Sequence, residues 1–207
     1  VINLFGEVFG NATRSITGNQ ALVSKIYLPS ELFPWASMIV AFIHFVPQVL
    51  VLLVGAMLFG WSPTLVQLGA LGMGIAILVV FTMGLGMITA ALNAAFRDVE
   101  NFVDLVVMVA TWLSPVIYRI TLVEEAIGGT VLYWLYVLNP LTIVVELFHA
   151  AFWRHLPPTI EVVARDPAFA SDHVVGLWWV GLLIAAGTFV IGTLVFERSK
   201  RRFAQEL

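Results

Sequence analysis

The chain has 207 residues, 60% of them hydrophobic and 11% charged, with a formal net charge of −3. A soluble domain carries about 25% charged residues, so this composition, with a mean hydropathy of +0.98, excludes an ordinary soluble protein and defines an integral membrane one. It has no cysteine, which excludes disulfides, thiolate metal sites and cysteine nucleophiles.

Val1 opens the chain inside an apolar stretch without a signal-peptide n-region or cleavage site, so the sequence is expected to be a single transmembrane domain, 1–207, lacking its N-terminal part. Val1–Phe9 reads as the end of an earlier span entering the cytoplasm. Residues 11–31 then form a polar cytoplasmic connection, in which Ile16, Leu22, Val23 and Ile26 suit a short amphipathic helix lying on a partner or the membrane surface. Pro29 and Pro34 end it.

A helix needs about 20 apolar residues to cross the hydrocarbon. Four segments qualify: Pro34–Phe59, Leu65–Leu92, Phe102–Tyr118 and Val174–Phe196. His44 lies alone in the first and is expected to hydrogen-bond a neighbour. The second carries Ala70–Gly74, Gly86–Ala90 and Ala90–Ala94, small residues four apart that let helices approach closely. None of these glycines belongs to a phosphate loop, because no GxxxxGK[ST] occurs, so the chain is expected to hold no cofactor and not to hydrolyse ATP by itself.

At the start of the third span lie Arg97, Asp98, Glu100 and Asp104. On a helix Arg97 and Glu100 can pair, while Glu100 and Asp104 would favour a basic partner. The same cluster suits a plain solvated helix end. Residues 130–153 form a fifth apolar run, cut at Asn139-Pro140. Proline removes a donor and disfavours helical geometry in the residue before it, so two half-helices are expected. Within the second half, Glu146 and His149 are three apart; ionisable groups in membranes are often functional, but a half-helix near the outer surface is also wet. Trp112, Tyr118, Tyr133, Trp134, Tyr136, Phe148, Phe152 and Trp153 gather towards the same end. They read either as an interfacial aromatic belt or as rings that stack on sugars.

Positive charge orients the chain. If residues 130–153 dip in and return, Arg14, Lys25, Arg97, Arg198, Lys200, Arg201 and Arg202 are cytoplasmic, leaving Arg119, Arg154 and Arg165 outside. A crossing would split the ten evenly, so the re-entrant topology is preferred. Residues 154–172 become an external loop and 197–207 a cytoplasmic basic tail.

Four motifs in order resemble the membrane subunits of ABC exporters for polysaccharide, O-antigen and teichoic acid. Asn19-Gln20-Ala21-Leu22-Val23-Ser24-Lys25-Ile26-Tyr27-Leu28-Pro29 is similar to the segment before that family's third span. Phe96-Arg97-Asp98 resembles the pair before the fifth, and Ser114-Pro115-Val116-Ile117-Tyr118 the end of that span. Leu138-Asn139-Pro140-Leu141 with Glu146 resembles the re-entrant gate; many relatives place arginine where this chain has His149.

The resemblance implies an all-α membrane subunit with six spans at full length. Four full spans and a partial one lie in this chain, with a re-entrant pair before the last. It implies a homodimer in the bacterial inner membrane and a separate nucleotide-binding ATPase, carrying ATP and magnesium, that touches Arg14, Lys25, Tyr27, Arg97, Asp98 and Glu100. The cargo would be a polyprenyl-diphosphate-linked glycan passing Trp112, Tyr118, Tyr133, Trp134, Tyr136, Asn139, Pro140 and Glu146. Membrane lipid is the remaining partner, with no nucleic acid and no metal. A drug efflux permease of the same superfamily is the alternative.

Overall fold

A computed structural model describes residues 1–25, 29–153 and 171–206, and every regular element in them is helical. The residues form two compact units: Val1–Val46, Val79–Val109 and Ile184–Leu207 in the first, Pro47–Leu78 and Ala110–Leu183 in the second. The helices are α1 (Ile2–Arg14), α2 (Gln20–Lys25), α3 (Leu32–Leu58), α4 (Leu65–Ala95), α5 (Val99–Leu113), α6 (Ile120–Ile127), α7 (Val131–Val137), α8 (Pro140–Trp153), α9 (Asp172–Val175) and α10 (Trp178–Glu206). A 3₁₀ turn at Thr17–Asn19 joins α1 to α2.

In the first unit α1 buries Leu4, Phe5, Val8, Phe9 and Ala12, with Phe5 stacked on Phe81 of α4 at 6.5 Å. Ala12 meets α4 at Gly86, where an added Cβ would lie 2.6 Å from the Ala12 methyl. At Gly84 the α4 backbone meets α10; an added Cβ would sit 2.6 Å from the Phe189 nitrogen, and Gly192 faces Gly84 in turn. Small residues thus do here what they do between membrane helices generally, bringing backbones into van der Waals contact. Around the crossing Met83, Met87, Ala90, Ala91 and Ala94 pack with Ile16 and Phe196.

The second unit has its own core. Phe148 of α8 lies against Gly74 of α4, and Ile143 against Gly181 of α10. Trp61 stacks on Phe152 at 5.2 Å and donates its indole N–H to the Ala151 carbonyl at 3.1 Å. Its position follows from the end of α3. Gly60 adopts φ 86°, and the Trp61 and Gly60 amides return to the Ala56 and Met57 carbonyls, the two bonds of a Schellman cap. The start of α4 is fixed equally locally. Gln67 Nα donates to the Thr64 hydroxyl while the Gln67 side-chain oxygen accepts the Thr64 amide at 2.9 Å, a capping box.

Among the described residues, three helices are long and apolar enough to cross a membrane: Leu32–Leu58, Leu65–Ala95 and the Trp178–Lys200 part of α10. The expected third span is shorter than its apolar run. The helix begins at Val99 and ends at Leu113, 15 residues, because Ser114 turns its hydroxyl onto the Ala110 carbonyl and Pro115 has no N–H to continue the ladder. Residues 130–153 break as expected, into α7 and α8, bent by 64°. Three further differences concern boundaries. The first helix runs on to Arg14, past Phe9; α6 fills the stretch after Tyr118; and the C-terminal segment continues α10 as helix to Glu206. Tyr27 and residues 154–170 of the expected external loop lie outside the described residues.

Candidate functional site

Each unit carries a polar cluster built from residues singled out in the sequence. In the first, the last turn of α1 meets the end of α4 and the start of α5. Arg14 donates from Nη2 to both carboxylate oxygens of Asp104, at 2.9 and 2.7 Å, and its Nε lies 3.5 Å from Glu100 Oε2. Arg14 is therefore the basic partner that the acidic pair lacked in sequence. Arg97 is not paired with Glu100: α4 stops at Ala95 and α5 starts at Val99, so the two residues do not share a helix.

Beneath this ion pair lies a residue that sequence reading passed over, Asn93. Its amide nitrogen donates to the Thr13 carbonyl at 3.3 Å and the Thr17 hydroxyl at 3.1 Å, and its oxygen accepts the Glu100 backbone N–H at 3.2 Å. Asn93 is 1% exposed, so its own end of each of these bonds lies away from solvent. One turn earlier Thr89 and Thr13 share a hydroxyl contact of 2.6 Å. Together they tie the end of α1, the 3₁₀ turn and the start of α5 to α4. A cavity of about 320 Å³ opens over the clamp, lined by Arg14, Thr17, Gly18, Gln20, Asn93, Arg97 and Glu100. Asp98 is exposed in the turn beside it, and Lys25 ends α2. Elsewhere in this unit Lys200 bridges Glu31 and Glu197 at 2.6 and 2.5 Å; its hydrogen bond holds the Glu31 carboxyl below the ordinary value.

The second unit collects every residue proposed for the external path. Tyr118 donates to the Trp112 carbonyl at 3.0 Å and its hydroxyl lies 3.1 Å from that of Tyr136. Trp112 and Trp134 are exposed, Trp134 edge-on to His173 at 5.7 Å. Tyr133 is only 6% exposed and meets Trp134 edge-on, while Phe148 and Phe152 are core residues. Asn139 caps α8 by accepting the Leu141 amide at 3.1 Å, with Pro140 at the first helical position, where a missing N–H costs nothing. Glu146 is fully buried. One carboxylate oxygen accepts the Ser171 amide at 2.8 Å and the other lies 3.2 Å from His149 Nδ1, so α8 is pinned to the residue that precedes α9. No metal-binding group of acids or histidines occurs among the described residues.

A helical protein with long apolar spans, a clamp joining its interhelical turns and a broken helix pair has the build of a transporter membrane component. Residues 2–153 match the ABC-2 type transporter family, and the chain belongs to it; it is a multi-pass bacterial membrane protein. Two proteins of Klebsiella pneumoniae named O-antigen export system permease protein RfbA are 25% and 24% identical to it, over 98% of this chain and 70% of each relative. The protein of that name from Myxococcus xanthus is 25% identical, over 98% of this chain and 71% of its own length.

Proposed function

We propose that the chain is the transmembrane subunit of an ATP-driven exporter that moves a polyprenyl-diphosphate-linked polysaccharide across the bacterial inner membrane. The observation that carries this is the similarity to O-antigen export permeases along 98% of the chain, which takes in the clamp and the broken helix pair alike. A separate ATPase supplies the energy and docks where Arg14, Arg97, Asp98 and Glu100 surround the cavity. Coupling there has a physical basis. Asn93 joins α1, the 3₁₀ turn and α5 by hydrogen bonds, so a push on any one of them is carried to α4 without slack.

On the opposite side of the membrane α7 and α8 act as a gate, with Trp112 and Trp134 offering ring faces to sugar and the Tyr118–Tyr136 pair offering hydroxyls. The excess of positive charge on the inner side supports the re-entrant topology, with both half-helices facing out. Two copies, each with its ATPase, enclose the path.

Expression of the protein with its ATPase in a bacterium lacking its own O-antigen export permease tests the reading. The expected result is lipid-linked glycan reaching the cell surface, detected by a lectin on intact cells. Continued intracellular accumulation with both subunits present in the membrane would overturn it.

A further inference from the structure

Helix α1 has a polar face that neither the ATPase clamp nor the gate uses. Asn3, Glu7 and Asn11 recur every fourth residue, on one side, about 6 Å apart along the axis. The opposite side is the apolar one that packs on α4. Asn3 and Asn11 are exposed, and their carboxamides make no hydrogen bond among the described residues. Glu7 Oε1 contacts His44 Nδ1 at 2.5 Å, with the histidine side chain 58% exposed and the glutamate 27%.

Depth makes this face unusual. His44 adjoins Phe45, the midpoint of Leu32–Leu58, a helix long and apolar enough to cross the membrane. Asn11 is fixed nearer the start of that helix, its carbonyl accepting the Ser37 hydroxyl at 3.4 Å. The row from Asn11 to Asn3 therefore runs inward to mid-membrane and beyond. Lipid cannot satisfy carboxamides or a carboxylate there. The small residues of α1 are already used by neighbours within the chain: Gly6 faces Val107, and Gly10 faces the Arg14 guanidinium.

We propose that Asn3, Glu7 and Asn11, with His44, form a water-lined track that binds the hydroxyl groups of the glycan as it crosses the membrane. Carboxamides both donate and accept, as sugar hydroxyls do. Asn3 and Asn11 carry no charge, and the repeated spacing of the row suits a chain that must slide. The proposal rests on the glycan-export reading.

The absence of cysteine makes the test direct. Asn3→Cys and Asn11→Cys are compared with Ile39→Cys and Ile43→Cys, exposed apolar positions of α3, in the complex with its ATPase. A charged, membrane-impermeant methanethiosulfonate is the probe. The thiolate is the reacting species and forms poorly in lipid, so the α1 positions should react about tenfold faster or more than the α3 positions. Added lipid-linked glycan should slow both α1 positions and leave the α3 positions unchanged. The Asn3→Leu/Asn11→Leu double variant should assemble with the ATPase and lose most export. Labelling of Asn3→Cys and Asn11→Cys no faster than of Ile43→Cys overturns the track, as does export by the leucine variant at the parent rate. Fast labelling that glycan does not slow overturns it too while leaving the exporter reading intact. A parent protein that moves no glycan overturns both, whatever the labelling contrast.

Discussion

Asn93 and Arg14 occupy the same cluster but act through different physics. Asn93 is buried and makes three hydrogen bonds, so Asn93→Ala strands the Glu100 amide and the Thr13 carbonyl; an unmade buried hydrogen bond costs about 1–3 kcal/mol. Arg14, by contrast, is nearly half exposed, with its acidic partners open to solvent. Surface ion pairs are worth about 0–1 kcal/mol, so Arg14→Gln should hardly change stability. Both variants should nonetheless uncouple ATP turnover from glycan, since both loosen the joint between α1 and α5. The measurement is a pair of melting curves in detergent beside glycan-stimulated ATPase activity. An Arg14→Gln complex that keeps full stimulation would show the ion pair to be ornamental to coupling.

At the scale of elements, the α4–α10 crossing depends on two glycines facing each other. A methyl at Gly84 would press into the backbone at Thr188 and Phe189, and overpacking of this kind costs about 1–3 kcal/mol. Gly72, in the same helix, has nothing within 4 Å of where its Cβ would stand. Gly72→Ala should therefore be neutral or gain about 0.5–1 kcal/mol from the better helix former. Unfolding midpoints for Gly84→Ala and Gly72→Ala should move in opposite senses; a shared sense would remove the packing argument for the crossing.

These elements also show what a sequence exposes and what it conceals. Long apolar runs and their breaks are local signals, so α3, α4, the start of the last span and the α7–α8 break at Asn139-Pro140 were legible within a few residues. Small residues four apart marked α4 as a packing helix, although the residues they pack against were invisible. Partners across the chain were not legible. Arg14 meets Glu100 and Asp104 some ninety positions away, and Glu146 meets Ser171 twenty-five positions away. Asn93 gave no signal, being one polar residue near the end of an apolar helix. The eight residues of α6 carry Glu124 and Glu125 within a short apolar pattern, too brief to separate from a loop. The shortening of α5 came from Ser114 and Pro115, whose effect on the helix end was readable but was outweighed by the apolar run beyond them.

For the molecule as a whole, a polar clamp on the proposed ATPase side, a polar track along α1 and a broken helix pair at the proposed exit would together carry a hydroxyl-rich chain on a lipid through an apolar barrier. A drug pump of the same superfamily would share the clamp, but it would have no need of a wetted polar row at mid-membrane. The most direct measurement uses inverted membrane vesicles containing the protein, its ATPase and a radiolabelled polyprenyl-diphosphate-linked glycan. ATP addition should move the glycan into the lumen, where it becomes resistant to an externally added glycosidase, and hydrophobic drugs should neither move nor compete. ATP hydrolysis with all the glycan left accessible, or accumulation of drugs in its place, would contradict the account.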